Sequence, residues 1–406
     1  MFSSTQSIEE FCGINSFYNN FPFILPFELR KSIPENFIVH EILANKNVVG
    51  TANSLGVSEK GLFMHCILKK VLIDTPGAIK LLARELKIPS DWIGYAGLKD
   101  AHGTTFQQIS IFNSNQDLLK NLEFSNISLF DFVRKKYEVN LGDLWGNRFT
   151  ITMDLVNNEK FHEFNPQELS ASLQFLNKTY FPNFFGLQRF GTTRPISHIV
   201  GKYLLKKDYE SAVKTYLTSE SLMENEKISE LRKNLSLDWN YKSYLEQLPR
   251  NYHYEFSMAK SLSKFPYNYL RALHEIPPRI KKLFISSYQS FIFNEMLSKY
   301  ISNKTKEEPL IQEFPLISSV ADFSKLPEYL QDHLEVLLKK DQLTSDEFKK
   351  SDFSFKSKKN QSRRTLVTLE DYNFQLNKDK LVLHFSLPKS TYATMIIREI
   401  TRNLRI

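Results

Sequence analysis

The sequence predicts an α+β fold in which one discontinuous domain is interrupted by a largely helical insertion. Strands and helices mix in the first half of the 406 residues, helices dominate from about residue 195 to residue 310, and strand patterns return before the C terminus. The chain is also longer than a single hydrophobic core usually allows, so two domains are expected.

Strands are predicted where apolar residues alternate or form short runs between turns. Four stretches of the first half fit this description: "ENFIVHEIL", "WIGYAGL", "TFQQISIF" and "NRFTITMDL". In the first stretch Phe37, Val39 and Glu41 share one face of the strand. In the last stretch Phe149 and Ile151 share one face. Near the C terminus "RTLVTL", "YNFQL" and "KLVLHFSL" predict further strands.

Helices are predicted from apolar spacing and from their end signals. "TPGAIKLLARELKIPSDW" predicts a helix with a proline near its start and Pro89 just beyond the helix end. "NPQELSASLQFLNKTY" predicts another, with Asn165 as a cap before a proline. The middle of the chain predicts two helices separated near Asp208 and a long, largely buried one in "PPRIKKLFISSYQSFIFNEMLSKYISN". "STYATMIIREITRN" predicts a closing helix capped by Ser390 or Thr391, whereas the polar, lysine-rich residues 339–364 suit a solvated loop.

Composition favours a protein that binds a polyanion. The net charge is +8, the pI is near 9.1 and aromatic residues make up 13%, a combination that suits RNA, whose unpaired bases stack on rings. Two cysteines far apart and nine scattered histidines indicate neither a disulfide framework nor a metal site. No membrane span or secretory signal is expected, so we predict a cytoplasmic protein, and we expect no metal.

The stretch "GYAGLKDAHGTTFQQIS" (94–110) places Lys99 and Asp100 side by side after a short apolar strand. A carboxylate can act as a nucleophile or general base, and a neighbouring cation lowers its pKa and keeps it ionised in a pocket. The glycines around the pair allow sharp turns. An ordinary turn at the end of a strand explains the same residues, and spacing alone favours that interpretation.

Three other stretches could line a site. "LGDLWGNRFTI" offers Asn147, whose amide suits the edge of a nucleobase, and Phe149 as a stacking face. "PNFFGLQRFG" could be a structured loop near a site or a turn at a domain boundary. "LPKSTYATMIIRE" places Tyr392 at a helix start. Each also fits a purely structural role, whereas phosphate-loop, dinucleotide and nucleophile-elbow motifs are missing from the sequence.

In their order, these stretches resemble the TruD family of pseudouridine synthases. The resemblance runs from about residue 30 to residue 400 through six blocks: "IPENFIVHE", "GYAGLKDAHGTTFQQ", "LGDLWGNRF", "PNFFGLQRFG", "SSYQSFIFN" and "FSLPKSTYATMIIRE". The length and the "TRPISHIVGKYLL" segment are similar to the archaeal branch. The chain departs from the family pattern at Ala101, Gly103 and Asp143, where the family usually has a basic residue, alanine and often histidine.

The resemblance implies a pseudouridine-synthase catalytic domain with a central mixed or antiparallel sheet, formed by residues 1–184 and 366–406. A largely helical TRUD domain, residues 185–365, interrupts it. It also implies that Asp100 is the catalytic aspartate. Residues that contact the target nucleoside or lie near the carboxylate in the family match the following positions: Phe37, Asn147, Phe149, Tyr392 and Lys31.

The activity implied is isomerisation of uridine, at position 13 of tRNA, to pseudouridine. This reaction has no redox step and needs no cofactor, and neither a membrane nor an obligatory protein partner is indicated. One alternative is an RNA-binding protein that keeps the fold without catalysis, but it predicts loss of the aspartate or the amide. A nucleotide-binding metabolic enzyme is a second alternative, and it predicts a phosphate loop.

Overall fold

The chain divides into two compact units, each built from two separate segments. The computed structural model describes residues 7–18, 25, 27–30, 32–155, 166–221, 223–305, 308–350, 361–377 and 379–402. The sheet unit comprises Phe21–Phe181 and Val367–Ile406, and the helical unit comprises Met1–Asn20 and Pro182–Leu366.

The strands of the described residues lie mostly in the sheet unit. In chain order they are β1 (Phe27–Glu28), β2 (Phe37–Leu43), β3 (Phe63–Val71), β4 (Ile93–Tyr95), β5 (Thr104–Phe112), β6 (Ile127–Lys135), β7 (Leu144–Leu155), β8 (Phe181–Pro182), β9 (Glu313–Pro315), β10 (Ser362–Arg364), β11 (Leu366–Val367), β12 (Glu370–Leu376) and β13 (Lys380–Pro388).

The α-helices are concentrated in the helical unit. In chain order they are α1 (Ile8–Phe11), α2 (Thr75–Leu86), α3 (Gln116–Lys120), α4 (Pro166–Gln174), α5 (Ser197–Leu205), α6 (Tyr209–Thr218), α7 (Glu226–Asp238), α8 (Tyr241–Gln247), α9 (His253–Lys264), α10 (Tyr269–His274), α11 (Pro278–Asn303), α12 (Glu328–Asp341), α13 (Glu347–Lys350) and α14 (Ala393–Thr401). None of those described is both long and apolar enough to cross a membrane.

One large sheet organises the sheet unit. Its strands follow the order β12-β13-β7-β2-β5-β3-β6, with β1 added to β7 and β4 to β5. The β2–β5 pair is parallel and the other pairs are antiparallel. The predicted α+β class with a central mixed sheet is therefore confirmed.

Two apolar clusters cover one face of this sheet. Leu169 of α4 and Ile396 of α14 pack with Phe149 and its neighbours on β7 and β13, while Ile79 and Leu82 of α2 pack on β3 and β5. Between the clusters the same face carries polar side chains. This polar gap is where the candidate site lies.

The helical unit is organised around α11, whose side chains are buried on nearly every side, as its sequence predicts. The N-terminal segment belongs to this unit, because Asn294 Nδ2 donates to Cys12 O at 2.9 Å and Ser298 Oγ donates to Gly13 O at 2.9 Å. This grouping differs from the predicted one, which places residues 1–184 in the catalytic domain. The assignment of 1–184 with 366–406 and of 185–365 to two functional domains stays a prediction.

Most predicted elements form where the pattern places them, including the separation of α5 and α6, where Asp208 caps α6. Asn165 lies outside the described residues. The predicted cap of α14 by Ser390 or Thr391 is wrong: Tyr392 is the N-cap residue and its side chain makes no capping bond. Ser390 instead has a left-handed backbone, with φ of 66°, in the turn that follows β13.

Candidate active site

The register of three neighbouring strands gathers polar residues on one face of the sheet. Asn147 of β7 lies opposite Glu41 of β2. On the other side of β2, the parallel register pairs Val39 with Thr105, which places Gln107 beside Glu41. Because paired residues project to the same face, these side chains share the gap between the apolar clusters.

A buried ion pair fixes the loop 96–103 over this face. The Lys99 ammonium donates to Glu41 Oε2 at 2.5 Å, with the side chains 3% and 0% exposed. The other carboxylate oxygen accepts the backbone N–H of Gln108 at 3.1 Å. Removing either partner would leave a buried charge uncompensated. Lys99 therefore anchors the loop to β2 through Glu41.

A second lysine holds the loop from the adjacent strand. Lys70, at the end of β3, is fully buried and donates to Asp100 O at 2.6 Å, to Ile73 O at 2.7 Å and to Lys99 O at 3.4 Å. Burial lowers the pKa of Lys70 to about 8, while the nearby carboxylates of Asp100 and Asp74 act in the opposite direction. The ammonium thus lies close to Asp100 and is electrostatically coupled to it.

Uncharged hydrogen bonds complete the attachment of the loop. Thr75, at the start of α2, donates through Oγ1 to Gln107 Oε1 at 2.9 Å and accepts the backbone N–H of Lys99 at 2.9 Å. Gln107 Nε2 donates to Gly97 O at 3.2 Å. Because these groups are shielded from water, the loop is tied to both the sheet and α2.

Asp100 is half-buried at the far end of this loop. Its Oδ1 accepts the backbone N–H of His102 at 3.2 Å. The loop then enters β5 at Gly103, whose φ is 128° and where a Cβ atom would lie 2.3 Å from Phe37 O. Only glycine fits this close approach, which brings the end of the Asp100 loop against the start of β2.

Phenylalanine rings form the floor beside the gap. The Phe37 and Phe149 ring centroids are 6.0 Å apart and those of Phe149 and Phe385 are 5.6 Å apart. Phe37 and Phe149 are 4% and 6% exposed. The two predicted ring residues are therefore adjacent and belong to the core cluster.

Asn147 has an unused acceptor. Its side-chain Oδ1 is buried and finds no hydrogen-bond partner among the described residues, and the same holds for Thr105 Oγ1 on the same face. Buried polar atoms are nearly always paired in folded proteins. An unpaired acceptor inside a polar gap is therefore suited to a donor from a ligand.

Tyr392 lies at the same end of the sheet as Asn147, because it follows β13. β13 pairs Leu387 with Asn147, and directly after the strand the backbone N–H of Lys389 donates to Trp145 O at 2.8 Å. Tyr392 follows at the start of α14, half-buried. Lys31, the remaining predicted residue, lies outside the described residues.

Sequence reasoning did not identify the supporting residues Glu41, Lys70 and Thr75. A signal for the first two exists in the strand pattern. Glu41 continues the buried stripe of Phe37 and Val39, and Lys70 continues that of the core residues of β3, so a charge stands where an apolar residue is expected. Of the residues described, no three His, Cys, Asp or Glu side chains lie close enough to hold a metal ion.

The arrangement combines a carboxylate on a rigid loop, a cation behind it, an unpaired amide oxygen and a floor of aromatic rings. A carboxylate positioned in this way can act as a nucleophile or a base. The amide oxygen can accept from a planar ring with an N–H group, and uracil has one. The geometry therefore suits chemistry on a nucleoside.

Comparison with known proteins identifies the family. The profile of the family described as tRNA pseudouridine synthase D (TruD) matches residues 27–317 and 313–400. The chain is 31% identical to the probable tRNA pseudouridine synthase D 1 of Methanocaldococcus jannaschii over 380 residues, which is 91% of this chain and 94% of that protein. It is 30% identical to the probable tRNA pseudouridine synthase D of Methanopyrus kandleri over 346 residues, 82% of this chain and 84% of that one.

The comparison with a solved structure leads to the same family. The crystal structure of a protein assigned as tRNA pseudouridine synthase D from Methanosarcina mazei superposes with a TM-score of 0.71 at 27% identity, and 99% of each chain is covered. The predicted resemblance is confirmed, and the enzyme is favoured over both alternatives. The chain belongs to the TruD family of tRNA pseudouridine synthases, isomerases that convert uridine to pseudouridine.

Proposed function

We propose that Asp100 is the catalytic carboxylate of this synthase and that its target is the uridine at position 13 of tRNA. The observation that carries the first part is the attachment of the Asp100 loop by Lys70 and by the Lys99–Glu41 pair. We infer that this attachment holds the Asp100 carboxylate toward the face that bears Asn147, as preorganised catalysis requires.

The reaction breaks the bond between the ribose C1′ and uracil N1 and forms a bond between C1′ and uracil C5. The proton on C5 leaves and N1 takes up a proton, so the product is an isomer of the substrate. Asp100 acts in its ionised form, either by attack on the sugar–base unit or by removal of a proton from it. Both routes need a carboxylate that is shielded from water but not neutralised. The Lys70 ammonium, which donates to Asp100 O at 2.6 Å, lies behind the loop backbone.

The other predicted residues hold the nucleoside. The target uridine has to leave its RNA stack to reach Asp100. Asn147 Oδ1, which is unpaired among the described residues, accepts the N3–H of the uracil. Phe37 and Phe149 form the apolar floor, and Tyr392 packs against the ring or ribose from the start of α14. Lys31 stays a predicted contact near the carboxylate.

tRNA is the partner implied by the family, and the net charge of +8 supports contact with its phosphates. We infer that the enzyme acts in the cytoplasm, in keeping with its two cysteines, Cys12 and Cys66, which are both free thiols.

The position is tested by pseudouridine mapping on unmodified tRNA transcripts. With the wild-type enzyme we expect a single modified site, and no modification of a transcript in which the uridine at position 13 is replaced by cytidine. A transcript that differs by the same change at another single-stranded uridine serves as the control and is modified normally. Modification that persists after the position-13 change would refute the assignment.

A further inference from the structure

The helical unit contains a cavity that no step of the reaction uses. Its volume is about 490 Å³, and four aromatic side chains line it: Trp239, Tyr241, Tyr267 and Tyr269. The ring centroids of Trp239 and Tyr241 are 6.4 Å apart. A cavity of this size lies in the range of ordinary ligand sites, and its aromatic lining offers flat apolar faces.

Two of these aromatic residues have a backbone conformation that bulky residues avoid. Trp239 caps the end of α7 with φ of 51°, and Tyr267 has φ of 65°. Tyr267 is the third residue of a turn that Asn268 N–H closes by donating to Phe265 O at 3.2 Å, directly after Pro266. Glycine or asparagine is the usual residue at both kinds of position.

Packing within the protein does not explain why a tyrosine occupies the left-handed position 267. Tyr267 is 84% exposed, so its ring gains little from burial and stands at the mouth of the cavity. The left-handed conformation costs free energy, and the small buried fraction of this ring offsets little of that cost. Strain of this kind is concentrated at binding and catalytic sites, where a ligand uses the side chain.

The charges around the cavity indicate which ligand fits. The Lys214 ammonium lies 4.7 Å from the Trp239 ring centroid and 5.9 Å from that of Tyr269, and it is paired with Glu210 at 2.5 Å. Lys242 and Asp238 also line the cavity. With a cation already over the rings, a cationic ligand would be repelled. A flat, uncharged ring suits the stacking faces, and a phosphate attached to it suits the ammonium group of Lys242.

We propose that this cavity binds an unpaired nucleotide of the RNA substrate. Its base stacks on Tyr267 and Trp239, and its phosphate lies near Lys242. Single-stranded bases are commonly bound in this manner, since every base has a face that can stack. The inference rests on tRNA being the substrate and does not depend on which carboxylate performs the chemistry.

The test is a direct titration of the full-length protein with an unmodified tRNA transcript. The Tyr267→Asn variant removes the ring and places a residue that tolerates a left-handed backbone, so its melting temperature should be equal to or above that of the wild type. We expect its affinity for tRNA to fall about tenfold, the scale of one lost stacking contact. Tyr267→Phe, which keeps the ring, should retain the affinity.

Gln342→Gly is the matched control. Gln342 caps α12 with φ of 56°, so this change relieves a similar left-handed conformation in the same unit without removing a ring, and tRNA affinity should stay at the wild-type value. Unchanged affinity in Tyr267→Asn would overturn the proposal. The proposal would also be overturned if Tyr267→Asn had a lowered melting temperature and Tyr267→Phe lost as much affinity as Tyr267→Asn. That pattern indicates a structural role for Tyr267.

The titrations are made in an Asp100→Asn background to prevent turnover. If Asp100→Asn still isomerises uridine, the assignment of the catalytic residue fails, but the comparison of affinities stands because it measures binding alone. If Asp100→Asn is inactive and Tyr267→Asn binds normally, the cavity proposal fails and the catalytic assignment stands.

Discussion

Lys70 illustrates at the residue scale how a buried cation can serve a catalytic loop. Its ammonium donates to the backbone carbonyls of Asp100 and Ile73 rather than forming an ion pair. Carbonyl dipoles compensate a buried charge only partly, so burial lowers the pKa of Lys70 to about 8. The protein thereby gives up some stability to hold a positive charge behind the Asp100 carboxylate.

This pKa predicts a pH dependence of stability. The unfolded value is 10.5 and the folded one is about 8, so between these values the unfolded chain binds more protons. The contribution of Lys70 to the free energy of unfolding therefore rises as the pH increases from 8 to 10.5, by at most about 1.4 kcal/mol per pH unit. Denaturant unfolding of wild type and Lys70→Met at several pH values measures this contribution. The contributions of other titrating groups cancel in the difference between the two free energies of unfolding. A difference that stays flat across this window would contradict the account.

Asn147 is the residue whose loss should separate function from stability. Its Oδ1 has no partner among the described residues, so Asn147→Ala removes no stabilising bond of that atom and should leave the free energy of unfolding unchanged or slightly higher. Loss of the bond to the substrate should lower kcat/KM about tenfold. Steady-state kinetics and chemical unfolding measure the two effects.

The control for this variant is Asn140→Ala, at an exposed position in the turn before β7, which should alter neither quantity. A strongly destabilised Asn147→Ala variant with normal kcat/KM would assign the amide a structural role instead.

At the scale of elements, the loop 96–103 depends on the close approach at its C-terminal end, Gly103. Gly103→Ala places a Cβ atom 2.3 Å from Phe37 O at a left-handed φ, so we expect a loss of about 2 kcal/mol or more in the free energy of unfolding together with reduced activity. Gly97→Ala is the matched change in the same loop. There the nearest contact is an ordinary 3.6 Å to Lys99 Nζ, so stability should change by less than about 1 kcal/mol. Equal stability of the two variants would contradict this view of the loop.

The sequence predicts the elements themselves better than their attachments. Alternation and cap signals place β2, β7, α2 and α11 because those patterns are local and repeat along the chain. The Lys99–Glu41 pair joins residues 58 positions apart, so no local pattern of the sequence indicates it. The N-cap of α14 was missed because Ser390 adopts a left-handed turn conformation, which residue type alone does not reveal.

At the scale of the whole molecule, the discontinuous organisation follows from the change of pattern along the chain, since strand patterns stop near residue 195 and return before the C terminus. The order of six motif blocks, rather than any one of them, indicates the family, and the family profile confirms it. The place of the N-terminal segment in the helical unit could not be predicted, because contacts such as that of Asn294 with Cys12 link distant parts of the sequence.

The central claim is that Asp100 performs the chemistry, and single-turnover formation of pseudouridine in an unmodified tRNA transcript tests it most directly. We expect wild type to convert one uridine and Asp100→Asn to convert none, although it binds the transcript and melts like the wild type. Asp91→Asn, which removes one negative charge at an exposed position of the same unit, should convert the uridine at the wild-type rate. Conversion by Asp100→Asn at that rate would contradict the claim.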